Sequence, residues 1–218
     1  MNFTHRAVAI DGPAASGKST VAKRLADSLG MVMVNSGAMY RAVTWQVLKE
    51  GVSPQDTAGV IASLGKMEIS CGVEDGRSTI TINGEVLGDE LRSEAVNNAV
   101  SHVAAVPEVR DRLVQLQRDY LATSDVVMEG RDIGSVVFPD TPYKLYIDAS
   151  EEVRRARRSA DGEADAVAAR DAQDSQRKTA PLRVSEGAIV IDSSELQITE
   201  VVEAAREALL KLGWEDSV

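Results

Sequence analysis

The residue types best suited to chemistry lie in residues 12–20, whose sequence is Gly-Pro-Ala-Ala-Ser-Gly-Lys-Ser-Thr. This pattern, G-x-x-x-x-G-K-S, lets backbone N–H groups surround a phosphate. The Lys18 ammonium can reach the β- and γ-phosphates of a nucleoside triphosphate, and the Ser19 hydroxyl can ligate Mg²⁺. The predicted triphosphate site comprises Gly12, Pro13, Ala14, Ala15, Ser16, Gly17, Lys18, Ser19 and Thr20.

The flanking residues supply the elements that such a loop requires. Residues 7–10 form an apolar run that predicts a buried strand. Apolar residues then recur at helical spacing from Val21 to Leu29, and Gly30 follows where a helix commonly ends. This strand–loop–helix order favours a functional phosphate-binding loop over a glycine-rich turn without a function.

A second strand, residues 31–34, is followed by Asn-Ser-Gly and a helix that contains Arg41. Because the carboxyl ends of parallel strands meet at one edge of a sheet, Ser36 and Arg41 are expected near the phosphate-binding loop. Taken alone, Ser36 is equally consistent with a helix N-cap, and Arg41 with a solvated helix residue. Both interpretations stay open at this point.

A third strand, residues 125–128, leads into Glu-Gly-Arg-Asp-Ile-Gly. An acidic residue at such a strand end is typical of proteins that hold Mg²⁺ through water, which makes Glu129 a candidate. Arg131 and Asp132 are adjacent on the predicted active edge, and a site role is favoured there over a surface ion pair.

Further charged and polar candidates lie along the helices. Ser101 and Arg110 flank the junction of two predicted helices, at 93–104 and from Pro107 onward. The spacing i, i+4, i+7 places Arg170, Asp174 and Arg177 on one helix face, for which a solvated face laced with ion pairs is the alternative.

Five apolar strands, at residues 7–10, 31–34, 125–128, 143–147 and 188–191, alternate with helices and predict an α/β/α sandwich around a parallel sheet. Two further short strands, 67–73 and 78–82, flank an Asp-Gly turn and predict a hairpin. We expect this hairpin to belong to an insertion at 63–95 and to stand apart from the central sheet. The remainder, 1–62 and 96–218, forms the predicted core.

The composition is that of an ordinary globular protein with an excess of acid. The 218 residues carry a net charge of −10, which argues against a general affinity for nucleic acid or anionic membranes. Cys71 is the single cysteine, so no intrachain disulfide can form, and the start of the chain lacks a signal-peptide core. These features, together with the lack of a run of about 20 apolar residues, predict a soluble cytoplasmic protein.

A triphosphate site combined with arginines from several segments predicts phosphoryl transfer between two nucleotides. The phosphate of the acceptor is already an oxyanion at neutral pH, so the transfer needs no general base. Neither His5 nor His102 lies in a predicted site, in agreement with this reasoning.

Several segments together resemble the bacterial-type cytidylate kinases, a branch of the P-loop nucleoside monophosphate kinases. They are residues 12–20, 35–41, the hairpin, 129–134, 137–140, and Arg-Asp…Asp-Ser-Gln-Arg…Ala-Pro-Leu within 170–182. The resemblance spans nearly the whole chain and implies transfer of the ATP γ-phosphoryl group to CMP or dCMP, with Mg²⁺. It also implies a five-stranded parallel sheet, a nucleoside-monophosphate-binding insertion at 63–95 and a short helical lid at about 155–178.

The resemblance implies a role for each candidate. Lys18, Arg131 and Arg177 would be catalytic, and Arg41 and Arg131 would hold the acceptor phosphate. The cytosine pocket would be formed by Ser36, Ser101, Arg110 and Asp132, and the ribose hydroxyls would contact Arg170 and Asp174. A carboxylate can accept from the N4 amino group of cytosine but opposes the O4 of uracil, so discrimination against UMP is expected.

Two other functions are weighed against this one. A P-loop kinase for another nucleotide or small metabolite would not explain the hairpin or the set formed by Ser101, Arg110 and Asp132. A GTPase-like switch needs an Asn/Thr-Lys-x-Asp motif, and no lysine here has those neighbours. The expected partners are therefore ATP, CMP and dCMP, bound by a monomer that interacts with neither nucleic acid nor membrane.

Overall fold

The computed structural model describes residues 5–160 and 182–215. Strands β1 to β8 span, in chain order, Ala7–Asp11, Val32–Asn35, Ile69–Glu74, Arg77–Ile82, Glu85–Val86, Val126–Gly130, Lys144–Asp148 and Ile189–Asp192. Helices α1 to α7 span Lys18–Leu29, Ser36–Lys49, Thr57–Leu64, Glu94–Val103, Pro107–Asp119, Glu151–Ala160 and Ile198–Lys211. Shorter 3₁₀ turns span Asp89–Arg92 and Tyr120–Ala122, and a π turn spans Ile133–Val137.

Within the described residues the strands form one sheet, in the order β3-β4-β2-β6-β1-β7-β8, with β5 beside β4. The neighbours among β2, β6, β1, β7 and β8 all pair in parallel, which confirms the predicted five-stranded parallel sheet. Strand β1 lies at its centre and is buried along its whole length. An uninterrupted apolar run is what such a doubly covered strand requires.

Alternate residues of β1 face the two helical layers. Val8 and Ile10 pack with Val21 and Leu25 of α1 and with Leu209 of α7.

On the opposite face of β1, Ala7 and Ala9 pack with Val114 of α5 and with Ile133 and Phe138 around the π turn. Helices therefore cover both faces of the sheet, and the predicted three-layer sandwich is confirmed.

Strand β6 is longer than the predicted third strand. It continues through Glu129 to Gly130, because Glu129 pairs with Ile10 on one side and with Asn35 on the other. Glu129 therefore lies at the end of a strand that is paired on both edges, rather than in the loop that follows.

Helix α2 begins at Ser36, and its N-cap is Asn35, whose Oδ1 accepts a hydrogen bond from the Ala38 N–H at 3.0 Å. The N-cap interpretation of Ser36 is therefore wrong. The Ser36 hydroxyl instead donates to the carbonyl oxygen of Glu129 at 2.7 Å, which ties α2 to β6.

The predicted hairpin forms from β3 and β4, which pair from Ile69↔Ile82 to Glu74↔Arg77. Asp75 and Gly76 at its turn have φ values of 48° and 70°, as the mirror-image turns of hairpins require.

The hairpin does not stand apart from the central sheet, so that part of the prediction is wrong. Strand β4 adjoins β2 in parallel at Met33↔Arg77, and the Met33 N–H donates to the Gly76 carbonyl at 2.9 Å. The hairpin approaches the edge of β2 because Ile80 and Ile82 pack into the cluster formed with α2, α4 and α5. The insertion bounds of 63–95 stay a prediction.

Arg170, Asp174 and Arg177, with most of the predicted lid, lie outside the described residues. Among the helices that the structure describes, none combines the length and apolar character needed to cross a bilayer.

Candidate active site

A cavity of about 860 Å³ opens at the carboxyl ends of β2 and β6, between the phosphate-binding loop (residues 12–20), helices α2, α4 and α5, and the 3₁₀ turn at Asp89–Arg92. It brings together most of the predicted site residues that the structure describes. Those lining it are Ala14, Ala15, Lys18, Ser19, Ser36, Arg41, Ser101, Arg110, Glu129, Arg131 and Asp132.

The phosphate-binding loop has the tight backbone that its small residues permit. A Cβ atom at Gly12 would lie 2.1 Å from the carbonyl oxygen of Ile147 in β7, so only glycine fits there. Ala15 and Gly17 have left-handed φ values of 60° and 88°. Helix α1 then begins at Lys18, so its N–H groups and the positive end of its dipole lie at the loop.

Lys18, Ser19 and Glu129 form a polar cluster below the loop. The Lys18 ammonium donates to the Pro13 carbonyl at 3.0 Å and lies 4.0 Å from Glu129 Oε2. The Ser19 hydroxyl donates to Glu129 Oε1 at 2.9 Å. A serine hydroxyl beside a buried carboxylate is a hard-oxygen donor set that fits Mg²⁺.

Arg110 of α5 and Asp132 form a buried ion pair, with 3% and 5% of their surfaces exposed. Arg110 Nη2 donates to Asp132 Oδ2, and Arg110 Nη1 donates to the Ala104 carbonyl at 3.3 Å. The guanidinium also lies 5.5 Å from the ring centroid of Tyr40. Two buried charges are thereby paired at the cavity wall, where they present hydrogen-bonding groups of opposite character to a ligand.

Arg41 reaches across the cavity to the 3₁₀ turn at Asp89–Arg92 and to α4. Its Nη1 donates to the Leu91 carbonyl at 2.8 Å and to Asn97 Oδ1 at 2.6 Å. Asn97 in turn donates from Nδ2 to the Arg92 carbonyl at 3.0 Å. Asn97 was not predicted from the sequence, because an asparagine inside a helix carries no local signal of a contact 56 residues away.

Ser36, Ser101 and Arg131 complete the predicted set on the described part of the cavity wall. Ser36 and Ser101 are buried, and Arg131 is half-buried with Nη1 donating to the Gly130 carbonyl at 3.4 Å. A Cβ atom at Gly130 would lie 2.6 Å from Ser36 Oγ, so the glycine lets α2 approach the strand end.

Asp11 is a buried residue next to the phosphate-binding loop, and it was not among the predicted site residues. Its Oδ1 accepts from the Ile133 N–H at 2.7 Å and its Oδ2 from the Gly134 N–H at 2.8 Å. Burial raises the pKa of Asp11 from 3.8 to about 6, although both backbone hydrogen bonds oppose that shift. The available signal was an ionisable residue at the end of an otherwise apolar strand.

A second cavity, of about 530 Å³, lies on the other side of the phosphate-binding loop. It is lined by Ser16, Gly17 and Thr20 of the predicted set and by the segment that follows β8. Arg157 and Ser193, both missed by the sequence analysis, connect its walls, since Arg157 donates to Ser193 Oγ at 3.1 Å and to its carbonyl at 2.8 Å.

Gly12 and Pro13 are not among the residues lining either cavity, so their contribution is to the shape of the loop backbone.

Comparison with known proteins identifies one family. Residues 8–211 match the model of the cytidylate kinase family. A cytidylate kinase of Streptomyces avermitilis is 42% identical over 206 residues, covering 90% of this chain and 89% of the relative. Those of Caldanaerobacter subterraneus subsp. tengcongensis and Nocardia farcinica are 42% and 43% identical, covering 94% of both chains and 90% of both chains, respectively.

Solved structures with similar folds include two kinases of other substrates. A gluconokinase from Sinorhizobium meliloti 1021 superposes with a TM-score of 0.50 at 13% identity, covering 97% of this chain and 95% of that chain. A sugar kinase from Janibacter sp. HTCC2649 gives a TM-score of 0.51 at 16% identity, covering 94% of both chains. At these identities the likeness concerns the fold alone.

Proposed function

The chain belongs to the cytidylate kinase family, and from that premise we propose how its cavity carries out the reaction of the family. The protein transfers the γ-phosphoryl group of ATP to CMP or dCMP, giving ADP and CDP or dCDP. The observation that carries the proposal is the 860 Å³ cavity, in which a phosphate-binding loop faces a buried arginine–carboxylate pair.

On the donor side, residues 12–20 hold the phosphates of ATP through the loop backbone and the start of α1. The Lys18 ammonium, 4.0 Å from Glu129 Oε2, has the charge and the flexible stem to follow the γ-phosphate during transfer. The second cavity is positioned to take the rest of ATP, because it adjoins the outer side of the same loop at Ser16 and Gly17.

We propose that Ser19 holds Mg²⁺ directly and that Glu129 does so through water. The 2.9 Å hydrogen bond between their side chains supports this, because it places the Glu129 carboxylate close enough to an ion on Ser19 to hold one of its waters. When bound, Mg²⁺ supplies charge that neutralises the phosphate oxygens.

On the acceptor side, we propose that Arg41 and Arg131 bind the phosphate of CMP. The contacts of Arg41 Nη1 with Leu91 and Asn97 support this role, because they fix one edge of the guanidinium at the cavity wall. Asp132 accepts a hydrogen bond from the cytosine N4 amino group. Arg110, Ser36 and Ser101 donate to the acceptor atoms of cytosine.

Three further residues keep the roles that the family resemblance implies. Arg177 reaches the phosphates during transfer, and Arg170 and Asp174 contact the ribose hydroxyls. All three lie outside the described residues.

The transfer itself requires positioning and charge neutralisation. A phosphate oxygen of CMP attacks the γ-phosphorus in line with the departing ADP oxygen, so one P–O bond forms as another breaks. Lys18, Arg131 and Arg177 stabilise the negative charge that spreads over the transferred group. No side chain has to remove a proton, because the attacking oxygen is already ionised.

We also propose that the protein acts as a cytoplasmic monomer that binds no nucleic acid. For nucleic acid, the net charge of −10 supports this, because it disfavours a general affinity for anionic polymers.

A turnover panel tests the substrate. Initial rates with CMP, dCMP, UMP, AMP and GMP, each at saturating ATP, should be highest for CMP or dCMP in a coupled assay for ADP. Turnover of AMP or GMP without turnover of CMP and dCMP would contradict the assignment.

The site roles are tested by two substitutions with different expected signatures. Asp132→Ala should weaken CMP binding and reduce the preference for CMP over UMP, with ATP binding nearly intact. Lys18→Ala should instead lower kcat by about 10²–10³-fold with less effect on the Kd for CMP. Equal losses of CMP and ATP affinity in Asp132→Ala would refute a base-reading role.

A further inference from the structure

Asp11 connects two parts of the active site that the sheet does not join. It is the last residue of β1, directly before the phosphate-binding loop, and only 2% of its surface is exposed. Both oxygens of its carboxylate are used, one by the N–H of Ile133 and one by the N–H of Gly134. A carboxylate this deeply buried is costly unless it accepts such bonds.

The N–H groups of Ile133 and Gly134, which donate to Asp11, lie past the end of β6 and form no sheet hydrogen bonds. The pairing of β1 with β6 ends at Asp11↔Gly130, and the chain then leaves the sheet through Arg131 and Asp132. The next two N–H groups bind the Asp11 carboxylate, and the Asp132 carbonyl accepts from the Val136 N–H at 2.9 Å. The backbone around Asp132 is therefore held from both sides.

Asp11 itself has little freedom to move. Its backbone pairs with Gly130 on one side and with Tyr146 on the other. The following residue, Gly12, approaches the Ile147 carbonyl too closely to admit even a Cβ atom. The backbone of Asp11 is thus held in place, so its carboxylate can fix the orientation of the Arg131–Asp132 segment.

We propose that Asp11 is a positioning residue for recognition of the acceptor nucleotide, an inference that rests on the proposed roles of Arg131 and Asp132. Its carboxylate holds their segment in register with the phosphate-binding loop. The Asp132 carboxylate is thereby presented to the base, in its pair with Arg110, at a constant position relative to the bound ATP.

The test is Asp11→Asn, which keeps the size of the side chain. An asparagine can accept one of the two N–H bonds, and its amide NH₂ then faces the other N–H donor. We expect the Kd and KM for CMP to rise about tenfold or more, because a small displacement of a binding group has large effects. The Kd for ATP, measured by calorimetry, should stay close to that of the unchanged protein, and the preference for CMP over UMP should fall.

Asp125→Asn is the matched control. Asp125 also accepts a backbone hydrogen bond, from the Arg6 N–H at 2.7 Å, but it lies at the amino end of β6, away from the cavity. This variant should leave the Kd values for CMP and ATP and the base preference unchanged, even where its melting temperature falls.

The outcomes separate this inference from the proposed function. If Asp132→Asn weakens CMP binding while Asp11→Asn does not, the positioning role of Asp11 is overturned and the role of Asp132 stands. If Asp132→Asn leaves CMP binding unchanged, the proposed site fails, and the inference fails with it. Equal weakening of CMP and ATP in Asp11→Asn would show a general structural role and would also overturn the inference.

Asp11→Ser provides a second variant in which a shorter hydroxyl replaces the carboxylate. It should show the same selective loss of CMP affinity. If neither variant unfolds cooperatively, the carboxylate is needed for folding rather than for recognition, and the proposal is overturned.

Discussion

Ala15 is the one residue within positions 12–20 that adopts a left-handed backbone without being glycine, with φ of 60°. Such a conformation strains a residue that has a Cβ atom, so Ala15→Gly should relieve the strain. We expect a gain in stability of about 1 kcal/mol and a rise in Tm of about 2–4 °C. Ala14→Gly, at a neighbour without positive φ, is the control for calorimetry and should give no such gain. Equal shifts in the two variants would contradict the strain.

Asp11 should also make stability depend on pH. Its pKa in the folded protein is about 6, above the ordinary value of 3.8, so the folded state binds a proton more tightly than the unfolded state. Its contribution to the free energy of unfolding therefore falls as pH rises from about 4 to about 6 and is constant above that range. Asp11→Asn removes this dependence, so the stability of the variant relative to the unchanged protein should improve over that interval. Denaturant unfolding at several pH values measures the difference, and a trend in the opposite direction would contradict it.

Single residues were predictable where the signal was local and unpredictable where the partner was distant. Lys18 and Ser19 follow from the spacing of the loop. Asn35 caps α2 in place of Ser36, since both types suit that position and only the backbone geometry decides between them. The contact of Arg110 with Asp132 joins positions 22 residues apart and needs the packing of α5 against the π turn that follows Asp132.

Among the elements, the hairpin formed by β3 and β4 is held by Tyr120 as well as by β2. The Tyr120 hydroxyl lies 3.2 Å from the Gly72 carbonyl and 3.4 Å from that of Thr79, so one phenol contacts both strands. Burial raises the pKa of Tyr120 above its ordinary value, so the hydroxyl stays a hydrogen-bond donor even in alkaline buffer.

Tyr120→Phe should therefore cost about 1 kcal/mol and lower Tm by about 2–4 °C, with faster hydrogen exchange in the hairpin. Tyr143→Phe is the control, because the Tyr143 ring packs on Trp214 away from the hairpin. Unchanged exchange of the hairpin amides in Tyr120→Phe would show that the phenol does not hold the hairpin.

Element types followed from periodicity, whereas their ends and edges did not. The apolar runs predicted β1 and β6 correctly, but β6 extends to Gly130 because two neighbouring strands pair with its end. The ladder between β4 and β2 has one residue pair, Met33↔Arg77, and no sequence pattern marks such a contact.

At the scale of the whole molecule, the 860 Å³ cavity lies where α2 meets the 3₁₀ turn at Asp89–Arg92 and α4, since Arg41 of α2 contacts Leu91 and Asn97. Ligands that bind the folded state alone stabilise it, by about 2.7 kcal/mol at 100 times the Kd. Saturating CMP should therefore raise Tm by about 5–10 °C in a thermal-shift assay. UMP at the same concentration should give a smaller shift, and equal shifts would contradict base recognition in this cavity.

The architecture was the most predictable level of all. Five apolar runs alternating with helices have few arrangements other than a parallel sheet covered on both faces. The gathering of the polar candidates at one edge of the sheet was also predictable, because the carboxyl ends of parallel strands meet there. The geometry of the charged pairs Lys18–Glu129 and Arg110–Asp132 at that edge depends on side-chain packing, which the spacing of apolar residues does not encode.

The partial burial of Cys71 has a practical consequence for fluorescence labelling. It is the single cysteine of the chain, and burial raises the pKa of its thiol, so its reactive thiolate is scarce at neutral pH. Val86 of β5, in contrast, is 77% exposed. A maleimide dye should therefore react faster with the cysteine of a Val86→Cys variant than with Cys71. Such a dye would report movements of the hairpin region in single-molecule experiments during turnover.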